Sequence, residues 1–209
     1  HVHGENGHLY NSAALCVDGQ QLFRYDKILL PTYDVFDENR YFSAGSELGV
    51  CKVDIGGQEI NLGLQICEDL WDEHYNRKVT AELQQAGAAF VVNISASPYH
   101  ELRLKERLDL VQDKVQATGI PFFYCNLVGA QDELIFDGQS LAVNGMGELI
   151  GLAAIFTEEI VYVDMDSDRT ISLPADNREG ELYAGLVLGV RDYFKKTGHE
   201  EAVIGLSGG

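Results

Sequence analysis

Apolar positions recur along this chain with two periods. Short runs rich in β-branched, leucine and aromatic side chains occupy residues 10–17, 22–25, 50–55 and 60–67, separated by Asp18-Gly19 and Gly56-Gly57. Such dipeptides between apolar runs predict tight hairpins. Residues 77–86 change to helical spacing through Val79, Leu83 and Ala86, and Gly87 stops the run. The continuous apolar stretch 88–94 then predicts a buried strand. Residues 101–118 repeat the unit, with Leu104, Leu108, Val111 and Val115 on one face, Gly119-Ile120-Pro121 as the stop, and 122–128 as the next strand. Further strands are expected at 140–143, 148–154 and 160–163. Residues 166–180 are polar, contain Pro174 and have no period, which reads as a linker; 181–196 is expected to be a helix and 202–206 a short apolar strand.

Helix and strand in alternation, with hairpins interleaved, predict an α/β architecture whose helices cover sheet faces, compatible with a four-layer α-β-β-α sandwich. The organisation expected is one domain over 1–165, a linker over 166–180, and the start of a second domain over 181–209. Both ends are abrupt, with no initiator methionine and a last loop behind a strand-like run, so the sequence reads as a fragment.

The 209 residues, 45% of them hydrophobic, suffice for one sizeable core. A formal net charge of -18 repels phosphate backbones and anionic lipid, which argues against nucleic acid and membrane partners. No stretch approaches the roughly 20 apolar residues of a membrane span, and no signal-peptide core opens the chain, so a cytoplasmic protein is expected. The cysteines, Cys16, Cys51, Cys67 and Cys125, are widely spaced and form no CxxC or Cys/His cluster, which predicts reduced thiols and no metal site.

Chemistry concentrates in two stretches. In Leu64-Gln65-Ile66-Cys67-Glu68-Asp69-Leu70-Trp71, a cysteine ends an apolar strand and two carboxylates follow. A strand end holds sulfur rigidly, leaves one side open, and lets the next backbone N–H face a developing oxyanion. Position alone leaves Cys67 open between a nucleophile and a small buried hydrophobe. The segment from Tyr25 through Lys27 and Pro31 to Tyr41 and Phe42 combines an ammonium group, carboxylates and aromatics in a loop-like stretch, a composition suited to a cleft wall.

Together, Lys27-Ile28-Leu29-Leu30-Pro31, the run from Tyr33 to Phe42, and Gln65-Ile66-Cys67-Glu68-Asp69-Leu70-Trp71 resemble the glutaminase domain of glutamine-dependent NAD synthetases. These form a branch of the nitrilase, or carbon-nitrogen hydrolase, superfamily. Asn93-Ile94-Ser95-Ala96-Ser97-Pro98-Tyr99-His100 matches at the family's interval. Ser207-Gly208-Gly209 resembles the start of the pyrophosphate loop that opens the ATP-dependent domain, where backbone N–H groups bind the anion.

The resemblance implies a nitrilase-like α-β-β-α fold, incomplete at its N-terminus, and a Glu-Lys-Cys triad. Cys67 would attack the glutamine carboxamide, and Lys27 with the backbone N–H of Glu68 would stabilise the oxyanion. The third member, a general-base glutamate, belongs to an upstream motif that Glu5 and its neighbours do not match. Tyr33 and Phe36 would wall the glutamine pocket, Ser97 would bond its head group, and Arg103 would meet its α-carboxylate. Glu68 is a further candidate for substrate binding, and Glu38 is a candidate orienting carboxylate beside Lys27. Ser207, Gly208 and Gly209 are the candidate ATP contacts. The family's cofactors would be ATP and Mg in the synthetase part and none for the glutaminase step; its partners are glutamine and deamido-NAD, and it generally forms homo-oligomers. One departure stands out: the family often has glycine where this chain has Leu102, directly before Arg103. Read without its ATP-dependent part, the chain would be a free-standing nitrilase-type amidase or a structural, oligomerising module. An isolated piece of this extent is expected to be inactive as a glutaminase.

Overall fold

A computed structural model describes residues 1–4, 7–165 and 168–208. A short ladder pairs β1 (Val2–His3) with β2 (Leu9–Tyr10), and β3 (Ser12–Val17) with β4 (Gln20–Asp26) forms the first hairpin. Asp18 and Gly19 both have positive φ, 50° and 76°, the twist that closes a two-residue hairpin without splaying its strands. The Gly56-Gly57 turn does the same between β5 (Gly49–Ile55) and β6 (Gln58–Ile66).

Two crossovers follow. Helix α1 (Val79–Gln85) leads to β7 (Phe90–Ser95), and α2 (Arg103–Thr118) leads to β8 (Phe122–Asn126). β9 (Val128–Gln131) and β10 (Leu134–Asp137) make a separate hairpin, before β11 (Leu141–Val143), β12 (Leu149–Leu152) and helix α3 (Arg178–Thr197). The main sheet runs β12-β11-β8-β7-β6-β5, parallel at β6-β7-β8 and antiparallel towards both edges. A parallel pair needs a long connection, and α1 and α2 supply it.

The two faces of this sheet are covered differently. Gln65 of β6 is wholly buried and donates to Thr80 of α1 at 2.9 Å, so the helices lie on its side. Side chains alternate across a strand, so Leu64 points the other way. There Tyr25 of β4 packs on the Leu64–Gly49 pair; a β-carbon at Gly49 would come within 2.8 Å of the tyrosine ring. The β3–β4 hairpin thus forms a second β layer opposite the helices, giving a mixed α/β sandwich. On the helix side Val91 and Phe122 of the sheet pack with Leu108, Val111 and Val115 of α2, and Leu62 and Leu64 extend the core on the opposite face, each contributing about 1.5–3 kcal/mol by burial.

Three expectations fail. Residues 160–163 form no strand: Ile160 and Tyr162 are 80% and 92% exposed, and none of the described strands pairs with them. Residues 202–206 likewise run without a ladder, with Val203 and Leu206 exposed. A strand's N–H and C=O groups need a neighbour, and apolar composition cannot supply one. The single strand expected at 122–128 is two, β8 ending at Asn126 and β9 starting at Val128; between them the Leu127 N–H donates to the Ser95 carbonyl of β7 at 3.0 Å and the Leu127 carbonyl accepts the Gly138 N–H at 2.9 Å.

Candidate active site

Strand β6 ends at Ile66, and Cys67 turns the chain into the short 3-10 helix Cys67–Leu70 with φ of 45°. A non-glycine residue in this left-handed region carries strain of about 1–3 kcal/mol, so its surroundings must over-determine it. The wholly buried Asp69 carboxylate accepts the Ile66 N–H at 2.9 Å, Asn93 Nδ2 donates to the Cys67 carbonyl at 3.4 Å, and the Trp71 N–H closes onto Glu68 at 2.8 Å. Cys67 is half-buried, and none of Cys16, Cys51, Cys67 and Cys125 is disulfide-bonded. Burial pushes the Cys67 thiol above its ordinary range; the charge of Lys27 and the Ser95 hydroxyl pull it down, and Glu68 and Glu38 push it up.

Lys27 directly follows β4, and its charge acts on this thiol. It is 1% exposed, and Nζ donates to Glu38 Oε1 at 2.6 Å, while Asn11 Nδ2 holds Oε2 at 3.2 Å. Burying an ammonium without such a partner would cost several kcal/mol. The lysine backbone is fixed on both sides, its N–H to the Asn11 carbonyl and its carbonyl to the Gly45 N–H, each at 2.8 Å. Directly after it, the N–H groups of Ile28 and Leu29 donate to Asp69 Oδ1 at 3.1 and 2.9 Å.

Glu68, next to the cysteine, is 3% exposed and accepts two tyrosine hydroxyls, Tyr33 at 2.9 Å and Tyr75 at 3.0 Å. Burial raises its carboxyl above the ordinary value, and the two hydroxyls and Lys27 act against that rise. Tyr33 meets Phe36 edge to face at 5.9 Å, which fixes the aromatic wall above the glutamate.

Ser97 and Arg103 follow β7. Ser97 is buried, its N–H donating to Asn126 Oδ1 at 2.9 Å, its carbonyl and hydroxyl accepting from Arg107 Nη2 at 2.9 and 3.3 Å. The Arg103 guanidinium lies 5.0 Å from the centre of the Trp71 ring and bonds Glu106 at 3.2 Å. Trp71 belongs to the cysteine turn, so this stacking brings Arg103 to the same side of the fold. Leu102, where the family often has glycine, adopts a glycine-like φ of 66° and starts α2. The structure therefore gathers Lys27, Tyr33, Glu38 and Glu68 around Cys67, with Phe36 packed against Tyr33. Ser207 and Gly208 are exposed, and Gly209 and Glu5 lie outside the described residues.

Residues 1–175 match the model of the carbon-nitrogen hydrolase family. The chain belongs to that family. Among its relatives, a glutamine-dependent NAD(+) synthetase of Synechocystis is 40% identical over 96% of this chain and 38% of its own length. The enzyme of that name from Thermotoga maritima is 37% identical over 96% of this chain and 40% of its own. A solved structure of glutamine-dependent NAD+ synthetase from Acinetobacter baumannii, in complex with ADP, superposes with a TM-score of 0.82 and 34% identity. It covers 94% of this chain and 37% of that one. The chain thus spans about two-fifths of the length of the relatives it matches.

Several polar residues of the candidate site escape a reading by motif. Tyr75 reaches Glu68 from beyond the cysteine turn, and Asn93 and Ser95 line it from β7. Arg107 had a visible signal: it sits inside the apolar stripe of Leu104, Leu108 and Val111, where a charge is out of place unless paired. Its partner Asp137 had none.

Proposed function

We propose that this chain is the glutaminase part of a glutamine-dependent NAD synthetase, with Cys67 as its nucleophile. In that reading the Cys67 thiolate attacks the carboxamide carbon of glutamine, the C–N bond breaks, and ammonia leaves with a proton. Water then hydrolyses the thioester to glutamate and restores the thiol. Lys27 and the backbone N–H of Glu68 stabilise the tetrahedral oxyanion, and Glu38 orients Lys27. Tyr33, Phe36, Glu68, Ser97 and Arg103 receive the substrate, the guanidinium suiting a planar α-carboxylate. The observation that carries the reading is the left-handed Cys67 held beside a wholly buried, ion-paired Lys27.

The ammonia would serve ATP-dependent amidation of deamido-NAD, with residues 1–165 as the glutaminase domain, 166–180 as linker and 181–209 as the start of the amidating domain. Ser207, Gly208 and Gly209 would then meet ATP, with Mg supplied to that part. Support for this half comes from the relatives' names and from the Ser-Gly-Gly sequence.

Alkylation by iodoacetamide, mapped by peptide mass spectrometry, tests the glutaminase half. Cys67 is expected to react and to be shielded by millimolar glutamine but not by norvaline, whose side chain lacks the carboxamide. Equal modification of Cys16, Cys67 and Cys125 with no protection by glutamine would remove the basis of the assignment.

A further inference from the structure

Asp69 is 0% exposed and accepts four hydrogen bonds with a division of labour between its oxygens. Oδ1 takes the backbone N–H groups of Ile28 at 3.1 Å and Leu29 at 2.9 Å; Oδ2 takes the Ile66 N–H at 2.9 Å and the Tyr25 hydroxyl at 2.7 Å. Ile28 directly follows Lys27, and Ile66 directly precedes Cys67. One carboxylate therefore joins two segments that carry the reactive pair and lie far apart along the chain.

We propose that Asp69 is the positioning residue that sets Lys27 against Cys67, one carboxylate oxygen holding the lysine segment and the other the cysteine turn. This deepens the reading above and rests on it. A residue that merely stabilised the cysteine turn would need only the bond from Ile66, three positions back, a local arrangement common for aspartate. Two of the four donors come instead from the lysine segment, and Tyr25 comes from the strand leading into it. The backbone bonds of Lys27 itself run to Asn11 and Gly45, and its ammonium to Glu38, none of which belongs to the cysteine turn. The tie from the start of the lysine segment to the cysteine turn runs through Asp69, and Tyr33 adds a second tie to Glu68 farther along. Oxygen chemistry makes the device sensitive. Asparagine has the same shape, but its amide nitrogen has no lone pair for a donor, so it serves one segment and confronts the other with N–H against N–H.

The test is a double-mutant cycle on the rate of Cys67 alkylation by iodoacetamide in the whole chain, using wild type, Lys27→Met, Asp69→Asn and the double variant. Lys27→Met is expected to slow alkylation about tenfold in the wild-type background, since thiolate fraction follows the neighbouring charge. In the Asp69→Asn background the same substitution is expected to change the rate less than about twofold, because the lysine no longer stands in register. Tyr25→Phe deletes one donor and keeps the ring; it is expected to shrink the Lys27 effect to about threefold, and it decides the matter if Asp69→Asn does not fold. A Lys27 effect undiminished in the folded variants, with circular dichroism unchanged, overturns the positioning role and leaves the site reading intact. No Lys27 effect in the wild type would overturn both.

Discussion

Arg107 and Asp137 form a bidentate ion pair with no exposure on either side, Nη1 to Oδ2 at 2.7 Å and Nη2 to Oδ1 at 2.8 Å. The pair fastens α2 to the end of β10, and Arg107 Nη2 continues to the carbonyl of Ser97. Asn126 closes the network, its Nδ2 donating to Asp137 and to Ser97, each at 3.3 Å. Removing one member leaves a buried charge without a partner, which costs far more than the pair is worth against an apolar replacement.

Asp137→Ala is therefore expected to lower stability by about 3–5 kcal/mol, read as a fall in the urea midpoint. On the same helix, Lys105 and Asp109 make an exposed pair, and Lys105→Ala is expected to cost about 0–1 kcal/mol. Equal effects from the two substitutions would contradict the burial of the Arg107 network.

Leu102 holds a left-handed conformation with its side chain 71% exposed, so it carries backbone strain with little burial in return. The left-handed region costs a leucine about 1–2 kcal/mol, and glycine gives back about 0.5–1 kcal/mol through its looser unfolded chain. Leu102→Gly is expected to stabilise by about 0.5–1 kcal/mol, seen as a higher melting temperature. A lower melting temperature would mean that the leucine side chain packs in solution.

Burial holds the Glu68 carboxyl above its ordinary value of 4.5, so the folded chain keeps this proton at a pH where the unfolded chain has lost it. The stability contributed by this proton is present below the unfolded value and is lost as pH rises through the folded one. Glu68→Gln stays neutral and keeps an oxygen for the tyrosine hydroxyls. The melting temperature of Glu68→Gln minus that of wild type is expected to grow as pH rises above the ordinary value of 4.5. A difference that shrinks over this range would reverse the direction assigned to Glu68.

The carboxylates that act on Cys67 are both engaged, Glu38 by Lys27 and Asn11, Glu68 by Tyr33 and Tyr75. Neither is free to take the thiol proton. The 209-residue chain is therefore expected to release ammonia from glutamine no faster than its Cys67→Ala variant, measured by a coupled ammonia assay. Turnover lost on that substitution would identify one of these glutamates as a working base.

Much of this architecture is legible along the chain, and the misses share a cause. Val79 and Leu83, or Leu104, Leu108, Val111 and Val115, announce helices because each buried face repeats at the helical period. Asp18-Gly19 and Gly56-Gly57 announce hairpins because the positive φ they permit is local. Residues 160–163 and 202–206 look equally strand-like, yet a strand is completed only by a neighbour. The same division runs through the candidate site. Cys67, Lys27 and Glu38 stand in quotable blocks, whereas the Arg107–Asp137 pair crosses from a helix to a hairpin.

What the sequence determined by itself was the set of local choices: periods, turns, the cysteine at a strand end, and the blocks that mark the carbon-nitrogen hydrolase family. Only the tertiary structure decided how those blocks meet. A buried polar group must find its partners wherever the fold brings them, at any distance along the chain. Asp69 illustrates the limit, since its residue type predicts a turn and its four donors make it the junction between Lys27 and Cys67.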